Sequence, residues 1–232
     1  RGQLSNYTTN LTGDLFELPA GPLGFAAGYE YRRESGYDSP DAFVAAGLST
    51  GSARLPTEGG YSVDEFYVEF NVPILKDLPG AEILEINAAA RYSDYSSFGD
   101  TTNPKIGFRW KPVSDLLVRG SYADGFRAPN ITELFGGQAD SFPDIADPCD
   151  AANLELNPDP SANCFNGIGG VAPVPPGYEI SNSQVRATVG SNPNLTPETA
   201  TTKTQGLVDS PNGDERLDES HDNTDMKIED TT

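Results

Sequence analysis

The stretch Glu82-Ile83-Leu84-Glu85-Ile86-Asn87-Ala88-Ala89-Ala90-Arg91-Tyr92 decides the fold class. Its even positions read Leu84, Ile86, Ala88, Ala90 and Tyr92, while Glu85, Asn87 and Arg91 fall on the odd ones. A side-chain period of two puts these sets on opposite faces of an extended strand, one apolar and one wet. The pattern recurs outward from there. Asp64 to Val72 sets Phe66, Val68, Phe70 and Val72 against Glu65, Tyr67, Glu69 and Asn71. Leu23 to Arg32 sets Leu23, Phe25, Ala27, Tyr29 and Tyr31 against Gly24, Ala26, Gly28, Glu30 and Arg32. Lys105 to Lys111 sets Ile106, Phe108 and Trp110 against Lys105, Gly107, Arg109 and Lys111. Leu116 to Tyr122 sets Leu116, Val118, Gly120 and Tyr122 against Leu117, Arg119 and Ser121. Leu11 to Leu15 and Thr199 to Val208 are weaker strands, so about seven are expected in all.

Connections narrow the reading. Leu18 to Pro22 and Pro112 to Asp115 are short, as is Pro73 to Ala81, which turns at Pro79-Gly80. Ser35 to Val63, Ser93 to Pro104 and Arg127 to Pro197 are expected to be long. Strict alternation of short and long links is the habit of outer-membrane barrels, with tight periplasmic turns and large outer loops. The expected fold is therefore all-β: a segment of antiparallel transmembrane β-barrel with long extracellular loops. On that reading Glu30, Arg32, Glu65, Glu69, Glu85, Asn87, Arg91, Lys105, Arg109, Lys111 and Arg119 face a wet lumen, and the aromatics at the strand ends form an interfacial girdle. The competing reading is a soluble antiparallel sheet with the same residues on its solvated face.

Composition agrees with strands and turns: 24 Gly, 19 Pro and 10 Tyr in 232 residues. With 35 acidic and 15 basic residues the formal charge is −20, which disfavours nucleic acid and anionic-lipid docking through basic clusters. No apolar run approaches the roughly 20 residues of a spanning helix. Two catalytic signatures are missing as well: there is no His-Glu-x-x-His and no phosphate-cradling loop. Carboxylate pairs abound in so acidic a chain and single out no glycosidase dyad. Arg1-Gly2-Gln3 reads as an internal start and the last residues as an internal end, so a fragment is expected.

The run Gly120-Ser121-Tyr122-Ala123-Asp124-Gly125-Phe126-Arg127-Ala128-Pro129-Asn130-Ile131-Thr132-Glu133-Leu134-Phe135 resembles the TonB-dependent receptors of Gram-negative outer membranes. In that family a strand ends in Gly-Phe-Arg-Ala-Pro, followed by an Asn and by Glu-Leu-Phe. A second element, Gly190-Ser191-Asn192-Pro193-Asn194-Leu195-Thr196-Pro197-Glu198, resembles the Gly-Asn-Pro-x-Leu-x-Pro-Glu signature that leads into the next strand. Pro104 to Trp110 and Ala27 to Arg32 are similar to family strands. Gly125, Phe126, Arg127, Ala128 and Pro129, with Asn194, Leu195, Pro197 and Glu198, carry the resemblance, which runs from about Leu11 to Val208.

The resemblance implies a non-enzymatic receptor in the cell outer membrane. Such a receptor captures a scarce nutrient, such as a siderophore, cobalamin, haem or an oligosaccharide, and is bathed in outer-membrane lipid. It implies a barrel of about 22 strands filled by a plug, whose short box engages the energy-coupling protein TonB. About seven strands cannot close such a barrel, and the plug is not recognisable in this chain. The alternative is a surface-exposed or secreted β-rich ligand-binding protein derived from such a receptor, without transport. The expected division is residues 1–208 as partial barrel, with 127–197 as a long outer loop, and 209–232 as an acidic tail.

Cys149 and Cys164 both fall in that loop. In an exported protein such a pair is expected to form a disulfide, adding roughly 3 kcal/mol by the chain-entropy estimate. A zinc site is the alternative, but His221 is the sole histidine and is remote in sequence. Asp140, Asp144, Asp147, Asp150, Glu155 and Asp159 either hold calcium or are solvated loop charge, and they lack the EF-hand spacing. Phe135, Phe142, Phe165 and Tyr178 are weak candidates for stacking on a ligand ring, and equally for packing the loop on itself. No cofactor is expected. From Asp209 onward alternation stops, with nine acidic and two basic residues. That tail reads as disordered or diverged, although Met226 to Asp230 keeps the look of a strand end.

Overall fold

The computed structural model describes residues 1–156, 164, 173–175, 177–210 and 219–229. It divides into two compact units. The first comprises residues 1–38, 57–136 and 191–232, and the second residues 39–56 and 137–190.

The first unit is one antiparallel sheet of eight strands. In chain order they are β1 (Gly2–Leu18), β2 (Gly21–Asp38), β3 (Thr57–Leu78), β4 (Ala81–Tyr95), β5 (Gly99–Val113) and β6 (Leu116–Arg127). A short helix α2 (Ile131–Phe135) follows β6 in this unit, and the sheet resumes at Glu198 to end in an eighth strand. The second unit holds a one-turn helix α1 (Ala42–Ala45), a two-stranded ribbon of β7 (Ala139–Ser141) and β8 (Ala187–Val189), and a 3-10 turn at Leu154–Leu156. The resumed strands are β9 (Glu198–Asp209) and β10 (Glu219–Glu229), giving the order β1-β2-β3-β4-β5-β6-β9-β10. Each strand pairs with its neighbour in chain order once the outer-loop unit is set aside, so the sheet is an up-and-down meander.

Short turns share one end of it. Pro79-Gly80 is a two-residue turn in which Gly80 takes a φ of 77°, a left-handed conformation that a glycine adopts without a Cβ penalty. Pro73, which has no N–H to give the ladder, sits where β3 shifts register against β4 between Pro73 and Leu75.

Register fixes the faces. Pairing aligns Phe66 with Tyr29, Tyr92 and through it Thr102; Phe70 with Phe25, Ala88, Ile106 and Tyr122; and Val72 with Ile86, Phe108 and Gly120. The bulge keeps Leu75 on the same face, in line with Leu84, Trp110, Val118 and Leu207. Phe66 to Leu75 is roughly 30 Å of strand at ~3.3 Å per residue, and a tilt near 40° brings it close to the ~25 Å lipid band of such barrels. This apolar face is open: Phe66 and Ile106 are each 54% exposed. A sandwich would cover it with a second sheet.

Three expectations need correction. The strands run further than alternation showed: β3 has 22 residues, against the roughly 9–11 that cross a bilayer. The link from β4 to β5 is only Ser96 to Phe98, not Ser93 to Pro104, so the long links on the outer side are not uniform. Above the lipid band both faces meet water, alternation fades, and backbone hydrogen bonding nevertheless carries the strands on. The tail contains β10, paired with β9 along its whole length from Glu219–Asp209 to Glu229–Thr199, which makes eight strands rather than seven.

Candidate functional site

The polar face is built by the same register. Glu30 pairs with Glu65, and Glu65 with Ser93; Tyr67 pairs with Arg91; Glu85 pairs with Arg109, and Arg109 with Arg119. Like charges set opposite each other are unfavourable unless counter-charges reach them. Here they do. Arg32 lies 3.5 Å from Glu30, 3.3 Å from Glu34 and 3.9 Å from Glu65, and donates to the Tyr95 hydroxyl at 3.1 Å. Glu65, 5% exposed, accepts from Ser93 Oγ at 2.6 Å and faces Arg91 at 3.5 Å. Arg91 also stacks over the Tyr67 ring, 5.3 Å from its centroid. Further down, Arg109 meets Glu85 at 3.2 Å and Arg119 meets Asp222 at 2.8 Å. A buried carboxylate needs such partners, and each cation named is neutralised in place.

Above this network the wall carries a small apolar core. Tyr61, Val63, Tyr95 and Leu134 are buried, and Phe98, Phe126, Ala128, Ile131, Phe135 and Leu195 pack on them. Leu134 arrives on α2, so the segment after β6 folds back on β2 and β3. Two glycines leave it room. A Cβ at Gly36 would stand 2.9 Å from Ile131, and one at Gly59 would overlap the Phe135 ring.

Asn130 caps α2: its side chain accepts from the Glu133 N–H at 3.0 Å, while the Glu133 carboxylate accepts from the Asn130 N–H at 2.8 Å. That N–H, with Arg127 beside it, holds the Glu133 carboxyl below the usual carboxylate range. Arg127 bridges two carboxylates at once. Its Nε and Nη2 donate to the two oxygens of Glu198 at 2.9 Å each, and its Nη1 donates to both oxygens of Glu133 at 3.1 Å. Asn192 N–H adds a bond to the Glu133 carbonyl at 2.9 Å. The two motif-bearing segments, 71 positions apart at Arg127 and Glu198, are therefore one structure.

The second unit is assembled from both long connections. Arg54 bridges Ala139, Leu55 N–H donates to Gln138 O at 2.7 Å, and Asp140 N–H donates to Ala53 O at 2.8 Å. The β7–β8 ladder continues through Val185 N–H to Pro143 O and the Asp144–Gln184 bridge. Cys149 and Cys164 form a disulfide with 5.5 Å between their Cα atoms, which removes the zinc alternative. The loop carboxylates take protein donors. Asp140 pairs with Arg186, Asp144 accepts from Ser183, Asp147 from the Cys149 N–H, and Asp150 from the N–H groups of Ala152 and Ile180. Among the described residues no group of three such side chains could hold a metal ion. Asp159 lies outside the described residues.

Of the aromatic candidates, Phe135 packs in the core beside Gly59, Phe142 is 46% exposed, and Tyr178 donates to Asp147 at 3.4 Å. Phe165 lies outside the described residues. Phe142 and Tyr178, both in the second unit, make no ring contact with each other. A concavity of about 1140 Å3 lies on the sheet of the first unit, where Ile106, Phe108 and Val118 meet Lys203, Gln205 and His221.

The family model for TonB-dependent receptor-like β-barrels matches residues 1–218. The chain belongs to the TonB-dependent receptor β-barrel family. No curated protein matches it. Among solved structures it is similar to a variant of the ferric enterobactin receptor PfeA from Pseudomonas aeruginosa, with TM-score 0.58, 14% identity, and coverage of 98% of this chain and 27% of that one. It is also similar to the siderophore receptor PirA from Acinetobacter baumannii, with TM-score 0.53, 18% identity, and coverage of 91% and 25%. PirA from Pseudomonas aeruginosa gives TM-score 0.56, 19% identity, and coverage of 91% and 30%. These identities speak for the fold, and the chain spans between a quarter and a third of those receptors' length.

For this receptor family, membership turns the apolar face into the lipid face and the ion-paired face into the lumen wall. TonB-dependent receptors are transport receptors of the Gram-negative outer membrane, not enzymes. Sequence reading missed Glu34, Tyr61, Ser93 and Tyr95, because they lie where alternation fades. It singled out Arg127 and Glu198 as motif residues but not as partners; opposite charges in two co-occurring motifs were the available signal.

Proposed function

We propose that this chain supplies part of the wall and outer loops of a TonB-energised outer-membrane receptor that takes up a scarce nutrient. The observation that carries this reading is the two-faced sheet, a lipid-height apolar band backed by a neutralised polar lumen wall. The composite loop unit, braced by a disulfide, is the ligand-facing part, and Phe142 and Tyr178 are its candidate contacts. A ferric siderophore is the first ligand class to test, since the similar solved receptors bear that name, with cobalamin and oligosaccharide behind it. TonB contact would come through a plug segment.

The test expresses the full receptor containing this chain in a Gram-negative strain stripped of its own ferric-siderophore receptors, with and without TonB. Uptake of radioiron as a ferric catecholate, abolished without TonB, is the expected result. TonB-dependent uptake of cyanocobalamin or a maltooligosaccharide instead would move the ligand class. Ligand binding without any TonB-dependent uptake would favour the second reading, a surface-exposed binding protein derived from such a receptor. One observation supports that second reading. β10 places His221, Asn223 and Asp225 in line with Leu207, Gln205 and Lys203, so the lipid face turns polar at this edge.

A further inference from the structure

We propose that Arg127 is the positioning residue of the long outer loop, clamping its two feet together so that movement of the loop is confined beyond them. The feet are residues 128–136 and 191–197. Between them lies the larger part of the second unit, and the boundaries between the units fall at Gly136–Gly137 and Gly190–Ser191, immediately outboard of the clamp.

Three links join the ends of β6 and β9 and the two feet. Arg127 holds Glu198 with two parallel N–H···O bonds and Glu133 with a third nitrogen. Asn192 N–H holds the Glu133 carbonyl, and Leu195 packs on the cluster that buries Leu134. Arginine is the side chain this geometry requires. Its planar fork presents donors in two directions, whereas a lysine ammonium is a single point charge on a flexible stem. Glu133 is doubly committed, to Arg127 and to the Asn130 N–H, so the charge clamp and the start of α2 are one device.

The consequence is mechanical. A long excursion whose ends are held apart only by chain would pull on β6 and β9 whenever it moved. Clamped feet make it equivalent, for the sheet, to a short turn. The content of the loop can then change or swing while the β6–β9 pairing, from Leu116–Asp209 to Arg127–Glu198, stays in register.

Hydrogen exchange on the full receptor in lipid nanodiscs tests this. In Arg127→Ala, amides in 128–136 and 191–197 are expected to exchange roughly tenfold faster or more, together, while those of 116–124 and 200–208 keep their protection. Arg127→Lys should recover only part of it, because one ammonium cannot hold both carboxylates in fork geometry. Glu198→Gln, which leaves the Asn130–Glu133 cap intact, should loosen 191–197 more than 130–136, and it serves as the readout if Arg127→Ala fails to insert. Unchanged exchange in both feet, loss spread evenly over β6 and β9, or full recovery with lysine would overturn the proposal.

Discussion

The carboxylate of Asp150 receives the N–H of Ala152 at 2.8 Å on one oxygen and that of Ile180 at 2.7 Å on the other. Both bonds favour the ionised form and hold its carboxyl below the usual Asp range, the Ile180 N–H contributing most. A carboxyl lowered in the folded state contributes stability that is present above the unfolded value, about 3.9, and fades as pH falls through the lowered folded value. The segments around Ala152 and Ile180 should therefore stay joined at neutral pH and separate only in strong acid. Amide exchange at Ala152 and Ile180, corrected for its intrinsic pH dependence, reports this directly. Asp150→Asn should weaken one of the two links at neutral pH, since an amide has a single acceptor oxygen and its NH2 cannot accept. Equal protection in the variant and the parent at neutral pH would refute the role. The wider point at this scale concerns the acidic loop residues, for which calcium binding and solvation were the two sequence-level alternatives. Asp140, Asp144, Asp147 and Asp150 instead serve as acceptors for Arg186, Ser183 and nearby backbone, a use with no signature in composition.

Elements show where sequence legibility begins and ends. Phe66 to Val72 alternates because lipid demands an apolar side chain at every second position of that stretch. Thr57 to Val63 belongs to the same strand but carries no such demand, so only three-dimensional pairing with β2 reveals it. Gly99 to Asn103 is the same case: it pairs with Arg91 to Tyr95 in β4 yet reads as loop. The clamp residues were legible as motif members and illegible as a contact, because a sequence separation of 71 says nothing about distance. The disulfide was legible from two cysteines in one exported loop, and its energetic role can be measured. Cys149 and Cys164 close a segment with a sequence separation of 15, so reduction should remove roughly 3 kcal/mol locally. Reduced receptor should keep its barrel, read as unchanged heat-modifiable mobility on a gel, while protease cleaves between Asp147 and Val174 faster. Loss of barrel mobility on reduction would show that the bond supports the sheet and not the loop alone.

For the molecule as a whole, the decisive property is that its two faces require different solvents. A soluble sheet bearing Phe70, Ile106 and Trp110 open to water would gain from added charge there, whereas a lipid-embedded one would lose by it. Ala88 and Ala89 allow this to be tested with neighbouring residues of one strand. Ala88 aligns with Phe70 and Ile106 near the middle of the apolar band, and Ala89 aligns with Glu69 and Lys105 on the polar face. Ala88→Arg should destabilise the folded barrel by about 2–4 kcal/mol in a bilayer, the depth-dependent penalty for arginine near the midplane. Ala89→Arg places the same side chain beside the Glu69 carboxylate in a wet lumen and should change stability little. Urea titration of each full-length variant refolded into phosphatidylcholine vesicles, followed by tryptophan emission and gel mobility, gives both values. Equal effects at the two positions would mean that the sheet has no lipid side. A large effect confined to Ala89 would mean that the faces are the reverse of those given by the register.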